Sequence, residues 1–567
     1  MRIFLTFVKF QKTNVKSKST MINYLELLTE NTRKYWNEKA LCDWRGDAFT
    51  FGEVATQITR IQVLFETTGI AKGEKVTVCA PNSARWAISF LASNTYGTVT
   101  VPLLADFTPD AICGLVHHSE SVALFTDKDT FSKLDVSRMP RLKFIVCTGD
   151  FSLLWAASKE YEDAFAGLDA AVAAKYPDGV RPEDIDFAPD TEDKLAIINY
   201  TSGTTSAPKG VMLKYKALST SIDFAIRYIP AGKKDSIVSM LPMGHIYGMV
   251  FEFMYPLSCG VTVYYLGKAP AASTLLKAMA DVKPYLVITV PLVMEKVYNN
   301  SIKPVLSKWY MKLLTSIPGI KGVIYRKVVE KIKTSFGGNV QQFIMGGAAL
   351  NPDVEKAFRK MGLPYSVGYG MTEAAPLLAF SNWWLYVQGS CGKRVDSAEV
   401  RIDSPDPENV IGEIQAKGSN ICIGYFNNPE ASQNAFTEDG FLRTGDLGVM
   451  DKDGNIFIKG RCKTMILSAN GQNIFPEEIE AVLNSIGFVG DSVVVDRNSK
   501  LVALITLDND AIRKAGLDEA SVAELPEKIR VKANRTLPVY SKITKVEVKT
   551  EPFQKTPKGS IKRFLYS

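Results

Sequence analysis

Residues 201–210 concentrate groups that bind anions. The run Tyr200-Thr-Ser-Gly-Thr-Thr-Ser-Ala-Pro-Lys-Gly-Val211 holds hydroxyls, glycines and one lysine. Backbone N–H groups, rotatable hydroxyl donors and a single cation suit a polyphosphate. It is not a Walker A loop, because no Gly-Lys-Ser/Thr follows a glycine at the required distance. On composition alone a Gly/Ser/Thr turn explains the run as well as a phosphate cradle does.

The elements around this run read as an α/β fold. From about residue 21 to 460, β-branched runs alternate with helix-length stretches. Lys75–Cys79, Val122–Phe125, Phe144–Cys147, Leu195–Ile198, Ser236–Ser239, Val261–Tyr265, Leu286–Val290 and Gln342–Met345 are expected strands. They are apolar on both faces, as in mostly parallel sheets covered by helices. Such sheets bind ligands beyond the carboxyl ends of their strands, and the 201–210 run follows one. After about residue 395 the pattern shortens: Glu399–Ile402, Gly412–Ala416 and Gly454–Lys459 predict a small β-rich subdomain to about 460. A charged joint at 461–463 precedes a helix (Pro476 to about Ser485), a hairpin (Val493–Asp496 with Leu501–Ile505), and a final helix and strand. That tail, 461–567, is long enough for a separate small α+β domain. Residues 1–20 are basic, with no acid, and read as an extension or a misassigned start.

With these elements in place, the chain resembles the adenylate-forming superfamily of acyl-CoA synthetases, luciferases and nonribosomal adenylation domains. The 200–211 run is similar to its phosphate-binding signature. Leu241-Pro-Met-Gly-His-Ile-Tyr247, Gly346-Gly-Ala-Ala-Leu350, Tyr369-Gly-Met-Thr-Glu-Ala374, Thr444-Gly-Asp-Leu447 and Gly460-Arg-Cys-Lys-Thr-Met-Ile466 with Gly471-Gln-Asn-Ile-Phe-Pro476 are similar to further motifs, in the order that family requires. The resemblance implies a large N-terminal adenylation domain (21–460) and a mobile C-terminal lid that swings about a hinge at Lys463. It implies ATP, Mg²⁺ and CoA as cofactors and co-substrates.

The same resemblance assigns roles to the matching residues. ATP would meet Thr201, Ser202, Gly203, Thr204, Thr205 and Lys209 at its phosphates, Gly347, Ala348 and Ala349 at adenine, and Tyr369, Gly370, Met371 and Thr372 near the α-phosphate. Asp446 and Arg461 would bind the ribose hydroxyls. Glu373 and Thr204 would hold Mg²⁺, and Thr204, Lys209, Glu373 and Lys558 would serve catalysis. The acyl site would include His245, Tyr247 and Gly346, and Gly471 would line the path of the CoA thiol. Activating a carboxylate brings an anion to a polyanionic nucleotide, so positioning and charge neutralisation are the tasks these residue types suit.

The sequence departs from the family pattern twice. Ser206 stands where a glycine is usual. In Lys555-Thr-Pro-Lys-Gly-Ser-Ile-Lys-Arg563 the position of the adenylation lysine holds Ser560, and Lys558 is the candidate replacement. Loss of one preorganised transition-state donor costs about 2.7–4 kcal/mol.

Composition excludes other classes. In 567 residues the net charge is +7, with acids spread among the Lys and Arg, so nucleic acid is not the expected partner. Eight well-separated Cys fit a reducing cytoplasm better than a disulfide framework. Two uncharged stretches, Trp86–Ala105 and Ala374–Gly392, carry enough polar residues to read as buried segments rather than membrane spans. Val290–Tyr298 and the His-Ile-Tyr pattern at 245–247 resemble long-chain fatty acyl-CoA synthetases, so a long-chain fatty acid is the expected substrate. From Lys303 to Lys333, Lys and Arg interleave with Trp309, Tyr310, Met311, Leu313 and Leu314. This reads either as a basic face resting on anionic membrane or as a solvated helix. The alternative acceptor to CoA is a carrier-protein pantetheine, and the alternative to turnover is an acyl- and nucleotide-binding scaffold.

Overall fold

The computed structural model describes residues 22–187, 192–201, 208–267, 272–467, 473–497, 500–555 and 561–566. The expectations for residues 1–20, and those for Ser202, Gly203, Thr204, Thr205, Ser206, Gly471, Lys558 and Ser560, therefore lie outside the described residues.

Two seven-stranded sheets form the bulk of the molecule. One runs Leu153–Ala156, Phe144–Cys147, Ser121–Thr126, Lys75–Cys79, Val99–Pro102, Leu195–Thr201, Lys209–Lys214. Its interior strands are parallel and both its edges are antiparallel. The other runs Tyr365–Val367, Gln342–Met345, Leu286–Thr289, Ser236–Ser239, Thr262–Tyr265, Lys39–Asp43, Ala48–Thr50, parallel except for the last hairpin. Strands such as Ser121–Thr126 and Phe144–Cys147 are buried along their whole length, because helices cover both faces. Among those helices, Ala84–Tyr96 is capped by the Ser83 side chain and closed by left-handed Gly97.

From residue 369 to 461 the sheets become small and antiparallel. Tyr369–Gly370, Leu377–Phe380 and Lys393–Arg394 form one, and Ala398–Asp403, Gly412–Gly418, Leu442–Met450 and Ile456–Arg461 form another. Residues 474–546 pack a separate apolar core around Ile479, Leu483, Ala503 and Ile505. The β-rich part thus begins earlier than the expected 395, and its last strand runs through 460 to Arg461.

The Trp86–Ala105 stretch is a buried helix and strand. The Ala374–Gly392 stretch is mostly buried as far as Asn382, and departs from the expectation only beyond it, where Trp383, Leu385 and Val387 are exposed on a loop after the Leu377–Phe380 strand. Among the described residues no helix is long and apolar enough to cross a membrane.

Candidate active site

The phosphate-cradle run sits at the end of a β-hairpin. Leu195–Thr201 pairs antiparallel with Lys209–Lys214, with Thr201 opposite Lys209. The second strand was not expected from sequence, and it places Lys209 opposite Thr201.

A segment far along the chain completes this edge. Tyr425 bridges to Val211, Met212 N–H donates to Gly424 O at 3.0 Å, and Phe426 N–H donates to Gly210 O at 2.8 Å. The same segment grips the turn that carries Thr372 and Glu373. Cys422 N–H donates to Glu373 O at 2.8 Å, and Asn420 Nδ2 donates to Ala374 O at 3.1 Å and Leu377 O at 2.8 Å. Two motifs more than 160 residues apart are thereby stapled together.

Side chains finish the junction. The Tyr425 hydroxyl donates to Glu373 Oε1 at 2.9 Å, while the Lys209 ammonium lies 5.0 Å from the centre of the Tyr425 ring. Glu373 is only 9% exposed, and among the described residues it has no ion pair. Burial and the neighbouring Glu373 charge push the Tyr425 phenol up, so the hydroxyl remains a donor. Tyr425 was missed in the sequence; its only local signal is an aromatic residue after a glycine in the apolar run Ile421–Tyr425.

A second carboxylate lies at the other end of the same segment. Tyr369, four residues before Glu373, donates from its hydroxyl to Asp446 Oδ2 at 2.8 Å. Asp446 is 5% exposed and pairs with Arg461, whose Nε is 3.0 Å from Oδ1. The pairing follows from register, since Asp446 and Arg461 face each other across adjacent strands. Burial raises the Asp446 carboxyl, and Arg461 and the Tyr369 hydroxyl oppose that shift. The Arg461 side chain is 62% exposed, so its remaining donors face outward. Lys463 is exposed in the turn that follows, where Thr464 Oγ1 donates to Glu477 Oε1 at 2.6 Å.

Gly370 allows the chain to pass between these points. A Cβ there would lie 1.8 Å from Pro376 O, so no other residue fits.

The adenine and acyl candidates meet at the carboxyl ends of the second sheet. Gly346 follows Gln342–Met345 and is buried, whereas Gly347, Ala348 and Ala349 form an exposed turn with Gly347 at φ +82°. A Cβ on Gly346 would lie 3.0 Å from Tyr247 Cζ, so the glycine lets the Tyr247 ring pack on the backbone. The Tyr247 hydroxyl donates to Thr289 O at 3.4 Å, and its ring meets Phe251 edge-on at 6.0 Å. His245 opens the Ile246–Gly248 helix, with its N–H on Pro242 O at 3.0 Å. Glu252, also missed in the sequence, is fully buried and accepts from Leu241 N (2.8 Å), Met240 N (3.0 Å) and Ser239 Oγ (3.2 Å). Burial raises its pKa well above the usual carboxylate range, and it holds the 239–241 chain in place.

The lysine loop is framed as well. Lys555 bridges antiparallel to Ile561, Lys562 N–H donates to Gln554 O at 2.9 Å, and Arg563 pairs with the buried Glu480. Residues 556–560, which include Lys558, lie between these anchored ends.

The donor set fits magnesium. Among the described residues no three His, Cys, Asp or Glu side chains are grouped for a metal. Glu373 supplies one buried carboxylate, and Mg²⁺ uses one or two, since it keeps waters and takes ligands from substrate phosphates.

Comparison with known proteins gives the class. The family model for AMP-binding enzymes matches residues 28–426, and that for the AMP-binding enzyme C-terminal domain matches residues 463–566. The chain belongs to the AMP-binding enzyme family. It is 29% identical over 510 residues to the long-chain-fatty-acid–CoA ligase FadD15 of Mycobacterium bovis, covering 84% of this chain and 81% of that protein. It is 30% identical over 467 residues to 4-coumarate–CoA ligase 5 of Oryza sativa subsp. japonica, covering 79% and 77%. Among solved structures, O-succinylbenzoate coenzyme A synthetase from Bacillus subtilis in complex with ATP and magnesium aligns with a TM-score of 0.73 at 19% identity, over 95% of this chain and 98% of that one. That last likeness is one of fold.

Proposed function

We propose that this protein is an AMP-forming acid–CoA ligase whose acid is a long-chain fatty acid. The observation that carries the reading is the pair of tyrosine-held carboxylates at the two ends of Tyr369–Glu373. One end is ion-paired and suited to sugar hydroxyls. The other has no ion pair among the described residues, and Lys209 lies against the ring of the tyrosine that holds it.

In the first step a carboxylate oxygen of the acid attacks the α-phosphorus of ATP, and the bond to pyrophosphate breaks. Lys209, Thr372 and the turn residues Thr201 to Thr205 offset or bind the phosphate charge. Mg²⁺ held by Glu373 and Thr204 would neutralise phosphate oxygens. Asp446 accepts from the ribose hydroxyls and Arg461 donates to them. In the second step the CoA sulfur attacks the acyl carbonyl, AMP leaves with the bonding pair, and the thiol proton is released. The lid carrying Lys558 and Gly471 orders the two steps by turning about Lys463.

The long-chain choice is supported by Tyr247 packed on Gly346 with Phe251 edge-on to its ring, by Val290 near Gly347, and by the FadD15 likeness. The direct test supplies ATP, Mg²⁺ and CoA with either a palmitate-length acid or 4-coumarate and follows the thioester by mass. The palmitate-length thioester is expected to form faster. Preference for 4-coumarate would refute the acyl assignment while leaving the ligase class intact.

A further inference from the structure

The connection from Leu286–Thr289 to Gln342–Met345 carries an exposed helical hairpin that the chemistry above does not use. Trp309–Ser316 has no buried residue, and Ile320–Ser335 buries only Ile332. The two helices pack on each other and are joined by Ile317-Pro-Gly319. Trp309 is 78% exposed and Leu313 is 60% exposed; Tyr310, Leu314, Ile317, Ile320 and Val323 are exposed too. On the first helix, 309, 310, 313 and 314 fall on one arc, with Lys312 at its border.

The charge around this arc is one-sided. Lys303, Lys308, Lys312, Lys321, Arg326, Lys327, Lys331 and Lys333 stand against a single acid, Glu330. Among the described residues none of these cations is in an ion pair, although more than twenty surface pairs form elsewhere. A solvated helix needs no exposed Trp, Tyr and Leu on one arc, and a second copy of the same face would be repelled by its charge. Aromatic and aliphatic side chains ringed by unpaired lysines match the interface of an anionic bilayer.

We propose that residues 303–327 dock the protein on anionic lipid membranes, with Trp309 and Leu313 entering the interface and the flanking lysines meeting the headgroups. The placement suits the chemistry. The strands at either end of this connection supply Thr289 and Gly346, which meet Tyr247 at the candidate acyl site. Docking itself does not depend on which acid is activated.

The test is cosedimentation of the full chain with phosphatidylcholine vesicles, either pure or with roughly one-third phosphatidylserine. The parent protein is expected to partition onto the anionic vesicles at least about tenfold more strongly than onto neutral ones, and to be released by salt. The double variants Trp309→Glu with Leu313→Glu, and Lys308→Glu with Lys312→Glu, should each lower anionic partition by about tenfold or more. Both pairs lie on exposed positions, and an unchanged thermal melt confirms folding. Equal binding of parent and variants, equal binding to neutral vesicles, or no binding by the parent would overturn the proposal. So would sedimentation showing that these substitutions dissolve a dimer. Ligase assays in solution read a different property, so failure here and failure of the ligase reading are distinguishable.

Discussion

Glu373 and Asp446 are built alike and finished differently. Each is a buried carboxylate that accepts a tyrosine hydroxyl hydrogen bond, from Tyr425 and Tyr369 respectively. Asp446 has a guanidinium at 3.0 Å, whereas Glu373 has no ion pair among the described residues, and Lys209 lies 5.0 Å from the centre of the Tyr425 ring. A carboxylate whose charge is already paired serves neutral hydroxyl donors. One left unpaired keeps its charge for a metal ion. Under the proposed function, the same tyrosine device with one change of partner would separate a sugar-binding acid, Asp446, from a metal-binding acid, Glu373.

The largest expected effect falls on the unpaired acid. Glu373→Gln should lower acid-dependent pyrophosphate formation about a hundred- to thousandfold, mainly in kcat. Asp446→Asn should act chiefly on the KM for ATP. Equal kcat losses in both variants would erase the distinction. Next comes Tyr425→Phe, which keeps a ring under Lys209 and removes the hydroxyl from Glu373. A hydrogen bond to a charged group contributes about 1.5–3 kcal/mol, so kcat should fall roughly ten- to a hundredfold. A Mg²⁺ titration that is unchanged in this variant would show that the hydroxyl does not position Glu373. Arg461→Ala should raise the KM for ATP about tenfold with little change in kcat, because the ion pair orients a binding group rather than a reacting one.

The smallest effect concerns the C-terminal domain, where Glu480 is buried beside Arg563 and accepts Val494 N–H at 2.6 Å. Its carboxyl is pushed up to about 7 from an ordinary 4.5, chiefly by burial. The folded state therefore holds this proton more tightly than the unfolded chain does. Stability should fall as pH rises from about 4.5 to about 7, by at most about 1.4 kcal/mol per pH unit. Glu480→Gln should flatten that dependence in denaturant melts; an unaltered slope would assign it to other groups.

Much of this was legible in the sequence, and what was not has physical reasons. Ser236–Ser239 and Gln342–Met345 are short apolar runs buried on both faces, and Pro476–Ser485 starts with proline at its first turn. Leu442–Met450 escaped because Thr444, Gly445 and Asp446 interrupt its apolar pattern where the strand turns polar groups toward the site. Lys209–Lys214 was hidden in a run read for its chemistry. Tyr425 could not be found from spacing, since it belongs to no regular element and reaches Glu373 from 52 positions away. The Lys303–Lys333 stretch reads as one basic face, yet it folds as separate helices broken at Ser307 and at Pro318-Gly319.

ATP–pyrophosphate exchange with a panel of acids tests the central claim most directly. Exchange should require Mg²⁺ and rise most with palmitate-length acids, ahead of acetate, benzoate and amino acids. Exchange that no added carboxylate stimulates, or that proceeds equally well after Glu373→Gln, would contradict it.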